Sequence, residues 1–459
     1  MKQSIFITLL LFVLTNCIGQ NSSFILKNEK DFNNSFKNNF VGAYDLFIIK
    51  DFNEFIQKKK EGNYSFDFSF STNESEISFS MYLSDVISDD TPVNLTNQES
   101  KSIKDYGIKS FKGYCNDSDK VNSWLVVNDE YFILNYRIDS KHYVLSPTNI
   151  LSKKWDGHYN TYVLYNVNNL VKEEKEHICG VKDVIHRETE VEHKMVTNDC
   201  RQLNLASASD ITMLNKYTTA QNVITYLTNI YQGSALLFDD EFSYEIDLRI
   251  VEFYVSNSNN EFWLNTNNGD IVLNNFSNWQ GFSSTYNFKQ LFTDRDIFQI
   301  QMGVQNNNVV GLAFEPGTVS LIEDFSTNID NMIFVVTHEL GHNLNYGHDP
   351  FGSSYIMAPN VNTSQDWSSN SISTVNSYVA NNLGLLPSCP HTWVDYNMGI
   401  NGSGAFNFPY NNMGSATNAV PNNGTIRIKS SSGDPMGVII NVTKNFHIES
   451  WNGSATIGN

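Results

Sequence analysis

Along the chain, the spacing of apolar and polar positions changes character twice. From about residue 20 to 198, short alternating runs such as Trp124-Leu125-Val126-Val127 and Tyr131-Phe132-Ile133-Leu134-Asn135-Tyr136 stand in Asn-rich polar sequence. Period two in runs this short predicts brief strands joined by turns. A Lys and Glu cluster at 172–175 and a charged stretch at 182–194 predict an exposed linker, so a boundary is expected near Asp199. From Arg201 the pattern is that of an α/β domain. Leu203 and Leu205 suggest a strand, and Val223, Ile224, Leu227, Ile230 and Tyr231 recur at helical spacing. Ile246, Leu248 and Ile250 alternate as a strand does, 309–314 and 319–322 add two more, and 329–344 reads as a helix. Beyond Cys389 the sequence is rich in Asn, Gly and Ser. Its β-type runs at 425–429, 438–442, 446–449 and 455–457 predict a small all-β segment.

Length and charge narrow the picture. A chain of 459 residues is too long for one ordinary core, so two or three units are expected. With 30 basic against 49 acidic residues the formal charge is -19, which argues against nucleic acid or an anionic membrane surface as partner. Lys2 followed by a mostly apolar stretch at 5–14 reads as a signal peptide over 1–19, too short to span a bilayer. Leu14-Thr15-Asn16-Cys17 loosely resembles a lipoprotein cleavage box, but Asn16 fits it poorly, so free secretion is expected over anchoring at Cys17. No later stretch reads as a membrane span. Five cysteines, one of them in the leader, make no disulfide framework for a chain of this size.

The chemistry is concentrated in His338-Glu339-Leu340-Gly341-His342-Asn343-Leu344-Asn345-Tyr346-Gly347-His348-Asp349. At about 100° per residue, His338, Glu339 and His342 share one helical face. A helix that simply continued would carry His348 about 15 Å further along its axis, beyond any shared metal. The chain must therefore turn back, and Asn345 and Gly347 are residue types that accept the left-handed conformation which stops a helix. Three neutral imidazoles then bind one Zn2+ and leave a fourth position for water, as a catalytic site requires. Bound zinc lowers the pKa of that water to about 7, and Glu339 is placed to take its proton as general base. HExxH alone is a weak motif; the third histidine and the string Ser354-Tyr355-Ile356-Met357-Ala358-Pro359, which looks like a methionine turn around Met357, make it specific.

On these residues the chain resembles the adamalysin (reprolysin) type of metzincin zinc peptidase. Asp349 after the third histidine and the approach Asn308-Val309-Val310-Gly311-Leu312-Ala313-Phe314 match that subfamily. The resemblance covers about 201–386. It implies an α/β domain with a mixed, mostly parallel five-stranded sheet over two long helices. It also implies one catalytic zinc, with calcium left open, and protein or peptide substrates paired along Gly311, Leu312 and Ala313. Residues 359–367 would wall the pocket for the side chain after the cut. Tyr355 stands where many relatives carry a cysteine, so packing is expected to hold that turn. Phe111-Lys112-Gly113-Tyr114 and the run 123–147 resemble the family's propeptide, and His177-Ile178-Cys179-Gly180-Val181 looks like its cysteine switch. A Cys179 thiolate on the metal would displace the nucleophilic water.

The organisation expected is a signal peptide (1–19), a mostly β propeptide with inhibitory Cys179 (20–198), a metallopeptidase domain (199–390) and a small β-rich segment (391–459). That last segment resembles the opening coils of a parallel β-helix and would have to lean on the catalytic domain. Cys200 and Cys389 bracket the catalytic domain and would pair if their Cα atoms lie within about 7 Å. His142, His158, His177, His186, His193, His391 and His447 show no ligand spacing and are expected at the surface. The leading reading is a secreted, monomeric zinc endopeptidase zymogen. Its rival is a surface binding protein that keeps the fold and uses the C-terminal β segment; inactive relatives commonly lose Glu339 or a ligand, and here all four are present.

Overall fold

A computed structural model describes residues 26–28, 41–49, 65–72, 75–151 except 117 and 119, 161–171, 177–181, 200–431 and 443–455. The expected signal peptide, Cys17, the charged linker at 182–194, His158, His186, His193 and the run at 438–442 lie outside these residues. The chain forms two compact units, 1–84 with 111–169, and 85–110 with 170–459. This division differs from a single boundary at Asp199, because 85–110 packs with the later sequence.

The first unit is a nine-stranded sheet. Its strands run in the order Leu26–Asn28, Tyr44–Ile49, Thr161–Asn166, Lys141–Pro147, Phe132–Ile138, Ser123–Val127, Lys109–Cys115, Glu76–Leu83 and Ser65–Ser71. Alternation places Phe68, Phe70, Phe79 and Tyr136 on one face, where their rings stack or meet edge to face. His142 corrects the surface expectation: it is 1% exposed, packs on Trp124 and hydrogen-bonds Asn135 at 3.2 Å. A polar partner across the strand pair makes its burial tolerable.

The second unit is built on an eight-stranded sheet. Its strands are β1 (Pro92–Leu95), β2 (Lys101–Ser102), β3 (Ile178–Cys179), β4 (Arg201–Ser209), β5 (Ile246–Val255), β6 (Phe288–Thr293), β7 (Val309–Ala313) and β8 (Val319–Glu323). The order is β3-β7-β8-β6-β4-β5-β1-β2. The five strands β7-β8-β6-β4-β5 form a mixed sheet in which β8, β6, β4 and β5 are parallel and β7 is antiparallel to β8. It grows beyond the expected five because an open edge leaves backbone N–H and C=O groups to be paired, and earlier sequence supplies a strand at each side. Strand β6, at the centre, interrupts its apolar run with Lys289 and Gln290, both buried. Lys289 Nζ donates to the carbonyls of Phe276, Ser277 and Trp279 at 2.9, 3.0 and 2.7 Å, capping the end of a helix.

Two long helices, α1 (Ala220–Glu241) and α3 (Ile329–Asn343), pack together, with Ser234 Oγ 2.8 Å from Thr337 Oγ1 at the contact. Between them in sequence lies α2 (Gly269–Asn278), and α4 (Ser369–Asn381) follows the site. Thr219, Asn268, Asn328 and Ser368 cap these four helices by accepting backbone N–H groups. Cys200 and Cys389 form a disulfide with their Cα atoms 5.4 Å apart.

Strands β9 (His391–Val394), β10 (Gly424–Ser431) and β11 (Phe446–Ala455) form a parallel three-stranded sheet with helix α5 (Met413–Ala419) against it. Tyr244, just before β5, meets the rings of Trp393, Phe406 and Trp451, so this sheet leans on the larger one. His391 is 7% exposed beside Trp393, a second departure from the surface expectation, whereas His447 is exposed. Among the described residues no helix is long and apolar enough to cross a membrane.

Candidate metal centre

Helix α3 stops where the geometry demands. Asn345 takes φ 72°, its N–H bonds to the His342 carbonyl at 2.9 Å, and the Tyr346 N–H reaches back to Gly341 at 3.1 Å. These are the paired bonds of a left-handed helix stop. Of the two residues suited to that conformation, Asn345 is the one that adopts it. The chain then doubles back, and Asp349 fastens it: its N–H bonds to the Met357 carbonyl, and its Oδ1 accepts from Tyr346 Oη at 2.8 Å and Ser368 Oγ at 2.7 Å.

The result brings His338, His342 and His348 together, with imidazole centroids 4.6 to 5.3 Å apart. Cys179 joins them, and one donor atom from each of the four lies within 4.8 Å of the others. His338 Nδ1 is held by the Ile356 carbonyl and His342 Nδ1 by the Tyr346 carbonyl, both at 2.7 Å. Each backbone oxygen fixes the proton on Nδ1, which leaves the Nε2 lone pair aimed at the common point. Those two Nε2 atoms are 3.0 Å apart, and Cys179 Sγ is 3.4 Å from that of His342.

Electrostatics agree with a cation site. Burial and the neighbouring His348 push His338 down to about 3, and burial with the two other imidazoles holds His342 well below its ordinary value. Neutral rings are the metal-binding form. Three imidazole nitrogens and one thiol on a shared point are a donor set that suits Zn2+. Burial pushes Glu339 up to about 8, with the Cys179 thiol's hydrogen bond acting the other way. Its carboxylate lies against β7 so closely that a Cβ on Gly311 would sit 2.1 Å from Oε1.

Met357 lies beneath the helix, wholly buried, and a Cβ on Gly341 would come within 2.3 Å of its sulfur. Ile356 and Ala358 are equally buried, so packing holds the turn that Tyr355 enters. Trp367, at the end of the expected pocket wall, turns inward onto Phe238 and Phe242. Residues 177–181 are bound on both sides. β3 runs parallel to β7 with Cys179 opposite Gly311, the Gly180 N–H bonds to the Gly311 carbonyl, and the Cys179 N–H bonds to the Pro359 carbonyl, each at 2.9 Å. Leu312 and Ala313 continue β7 in its pairing with β8.

The carbonyls of Ile356 and Tyr346 were not legible beforehand, since any residue offers a carbonyl. Glu315 was also missed: it is buried with Oε2 3.7 Å from His342 Nδ1, and only its place just after β7 hints at this.

Residues 218–349 match the family described as Metallo-peptidase family M12B Reprolysin-like, a span that includes all three histidines and Glu339. The chain is similar to snake venom metalloproteinase trimerelysin-2 of Protobothrops flavoviridis, 34% identical over 86 residues, or 17% of this chain and 41% of that protein. It is likewise similar to snake venom metalloproteinase TM-1 of Protobothrops mucrosquamatus, 39% identical over 64 residues, 12% of this chain and 32% of that protein. The chain thus spans less than half the length of these curated relatives.

Proposed function

We propose, from the premise that residues 218–349 form a reprolysin-type metallopeptidase domain, that the protein is a secreted zinc endopeptidase made as a latent precursor. The observation that carries this reading is the convergence of Cys179, His338, His342 and His348 on one point, with donor atoms within 4.8 Å of each other. His338, His342 and His348 hold the zinc. When bound, the metal supplies Lewis acidity, making a water more acidic and polarising the scissile carbonyl.

The chain's own residues do the rest. Glu339, fully buried at the groove floor, accepts a proton from the attacking water and passes it to the leaving amine nitrogen. The β7 edge at Gly311, Leu312 and Ala313 binds the substrate backbone by strand addition. Met357 supports the ligand helix from below. Cys179 holds the precursor inactive, because residues 177–181 fill the groove between β7 and Pro359 that substrate needs. Activation then requires a cut between Cys179 and Cys200, or oxidation of the thiol. Secretion is supported by the leader-like pattern at 1–19 and by the Cys200–Cys389 disulfide, a bond of oxidising compartments.

The test is hydrolysis of a peptide library by chain cut in the linker. Cleavage should vanish with a chelator, return with Zn2+ and be absent in Glu339→Ala. Hydrolysis that survives both treatments sinks the reading. Cys179→Ala, which removes the thiol but leaves the 177–181 backbone paired, should raise the activity of the uncut chain part of the way towards that of the cut one.

A further inference from the structure

We propose that the outer edge of the sheet, strand β5, is an interface for the chain's own segment 85–110, and that this segment stays bound there as a separate chain after the activating cut. The inference rests on the activation reading above. It starts from a mismatch: 85–110 lies within the expected propeptide, yet it packs as part of the metallopeptidase unit.

The attachment is extensive. β1 adds to β5 in parallel, Val93 opposite Phe253 and Leu95 opposite Val255, and the Ile250 N–H bonds to the Val86 carbonyl at 2.7 Å. Val93, Ile103 and Ile108 are wholly buried and Val86 nearly so. The polar contacts are buried too. Glu252, a fully buried carboxylate on β5, accepts from the Asn94 side-chain amide as well as from the Ser283 and Ser284 N–H groups at 2.9 and 2.6 Å. Without the segment this carboxylate loses one of its donors, and buried charge left short of donors is costly. Thr96 donates to Glu261 at 3.1 Å, Gln221 on α1 donates to the Tyr106 carbonyl at 2.6 Å, and Ser110 donates to Gln232 on α1 at 2.9 Å. Asp85 pairs with Arg427, which lies 2% exposed near the rings of Trp393 and Trp451 and also binds Glu449.

The opposite edge differs. β3 has two residues, and among the described residues the arm around it makes a few backbone bonds, packs the partly buried Ile178 on the core and sets His177 on Phe325. One region therefore attaches to the unit twice, by a slender arm in the groove and by a broad clasp at the far edge. Cutting the linker frees the arm's tether to Cys200 without touching the clasp. The described disulfide, Cys200 to Cys389, lies wholly on the other side of the cut, so the retained association is non-covalent.

The experiment places a recognition site for a specific protease within 182–198 of the full chain, cleaves it, and follows both pieces by size exclusion and native mass spectrometry. Co-elution as a one-to-one pair that separates only in denaturant is the expected result. Hydrogen exchange should show the β5 amides as protected in the cut protein as in the uncut one. Two pieces parting in native buffer, or β5 amides losing protection on cutting, overturn the proposal. Peptide hydrolysis is read in parallel. A retained pair that stays without zinc-dependent hydrolysis even when the 177–181 arm is removed by a second engineered cut before it supports the interface while defeating the peptidase reading, and parted pieces with full hydrolysis do the reverse.

Discussion

The two edges of the large sheet invite comparison. At one, β3 lays two residues along β7 and delivers Cys179 to the histidines. At the other, β1 and β2 cover β5 with buried side chains and a buried carboxylate bond, far from any candidate chemistry. Both strands come from sequence preceding Cys200 and both satisfy an otherwise open edge. The difference lies in what holds them. On the β3 side a few backbone hydrogen bonds, a thiol contact and the packing of Ile178 and His177 hold a five-residue stretch, whereas on the other several wholly buried apolar side chains and a satisfied internal charge hold a longer one. Under the proposed function, an identical device, strand addition, serves as a latch on one side and as structure on the other.

Substitutions can pull this contrast apart. The largest expected effect is at the latch side: Glu339→Ala should lower kcat/KM of the activated enzyme by about 10²–10⁴-fold, the scale of a lost proton shuttle, with no fall in thermal midpoint. A matching loss of stability would mean that the residue serves the fold. Next is Val93→Asp, which forces a charge into the clasp. Chemical denaturation should show a loss of about 4 kcal/mol, with activity per folded molecule unchanged. If the loss is below about 1 kcal/mol, the clasp is no more structural than the latch. Asn94→Ala, which removes one donor to Glu252, should cost about 2 kcal/mol by the same measurement. The smallest effect is Asn345→Val, about 1–2 kcal/mol from a β-branched residue held in the left-handed region. Competition with a fluorescent chelator should show weaker zinc retention in that variant, since His348 depends on the turn.

How much of this was readable beforehand follows the same division. His338, Glu339, His342 and His348 lie on one helix and its return, so local rules of helical period and left-handed stops were enough to assemble them. Helix 329–344 was read to within a residue of its end, and the strands at 309–314 and 319–322 also stand. Strand β6 was invisible because Lys289 and Gln290 break its pattern, and their reason for being buried lies in the end of α2 and elsewhere in the core. The clasp was hidden for a related cause: Asn94 and Glu252 are 158 positions apart, and a four-residue strand carries too little pattern to name its partner. His142 was misjudged because burial of a histidine depends on a neighbouring strand offering Asn135. Pairings that are distant along the chain and satisfied only in three dimensions leave little trace in a linear pattern.

The bond between Cys200 and Cys389 has one more consequence. It ties the two ends of the peptidase segment into a ring of covalent connectivity, spanning 189 positions. Should one copy nick another at an exposed bend inside that ring, the nicked molecule remains in one piece. If the proposed activity acts between copies, self-digestion would first open rings and only later shed parts, and an oxidised gel would show intact mass where a reduced one shows fragments.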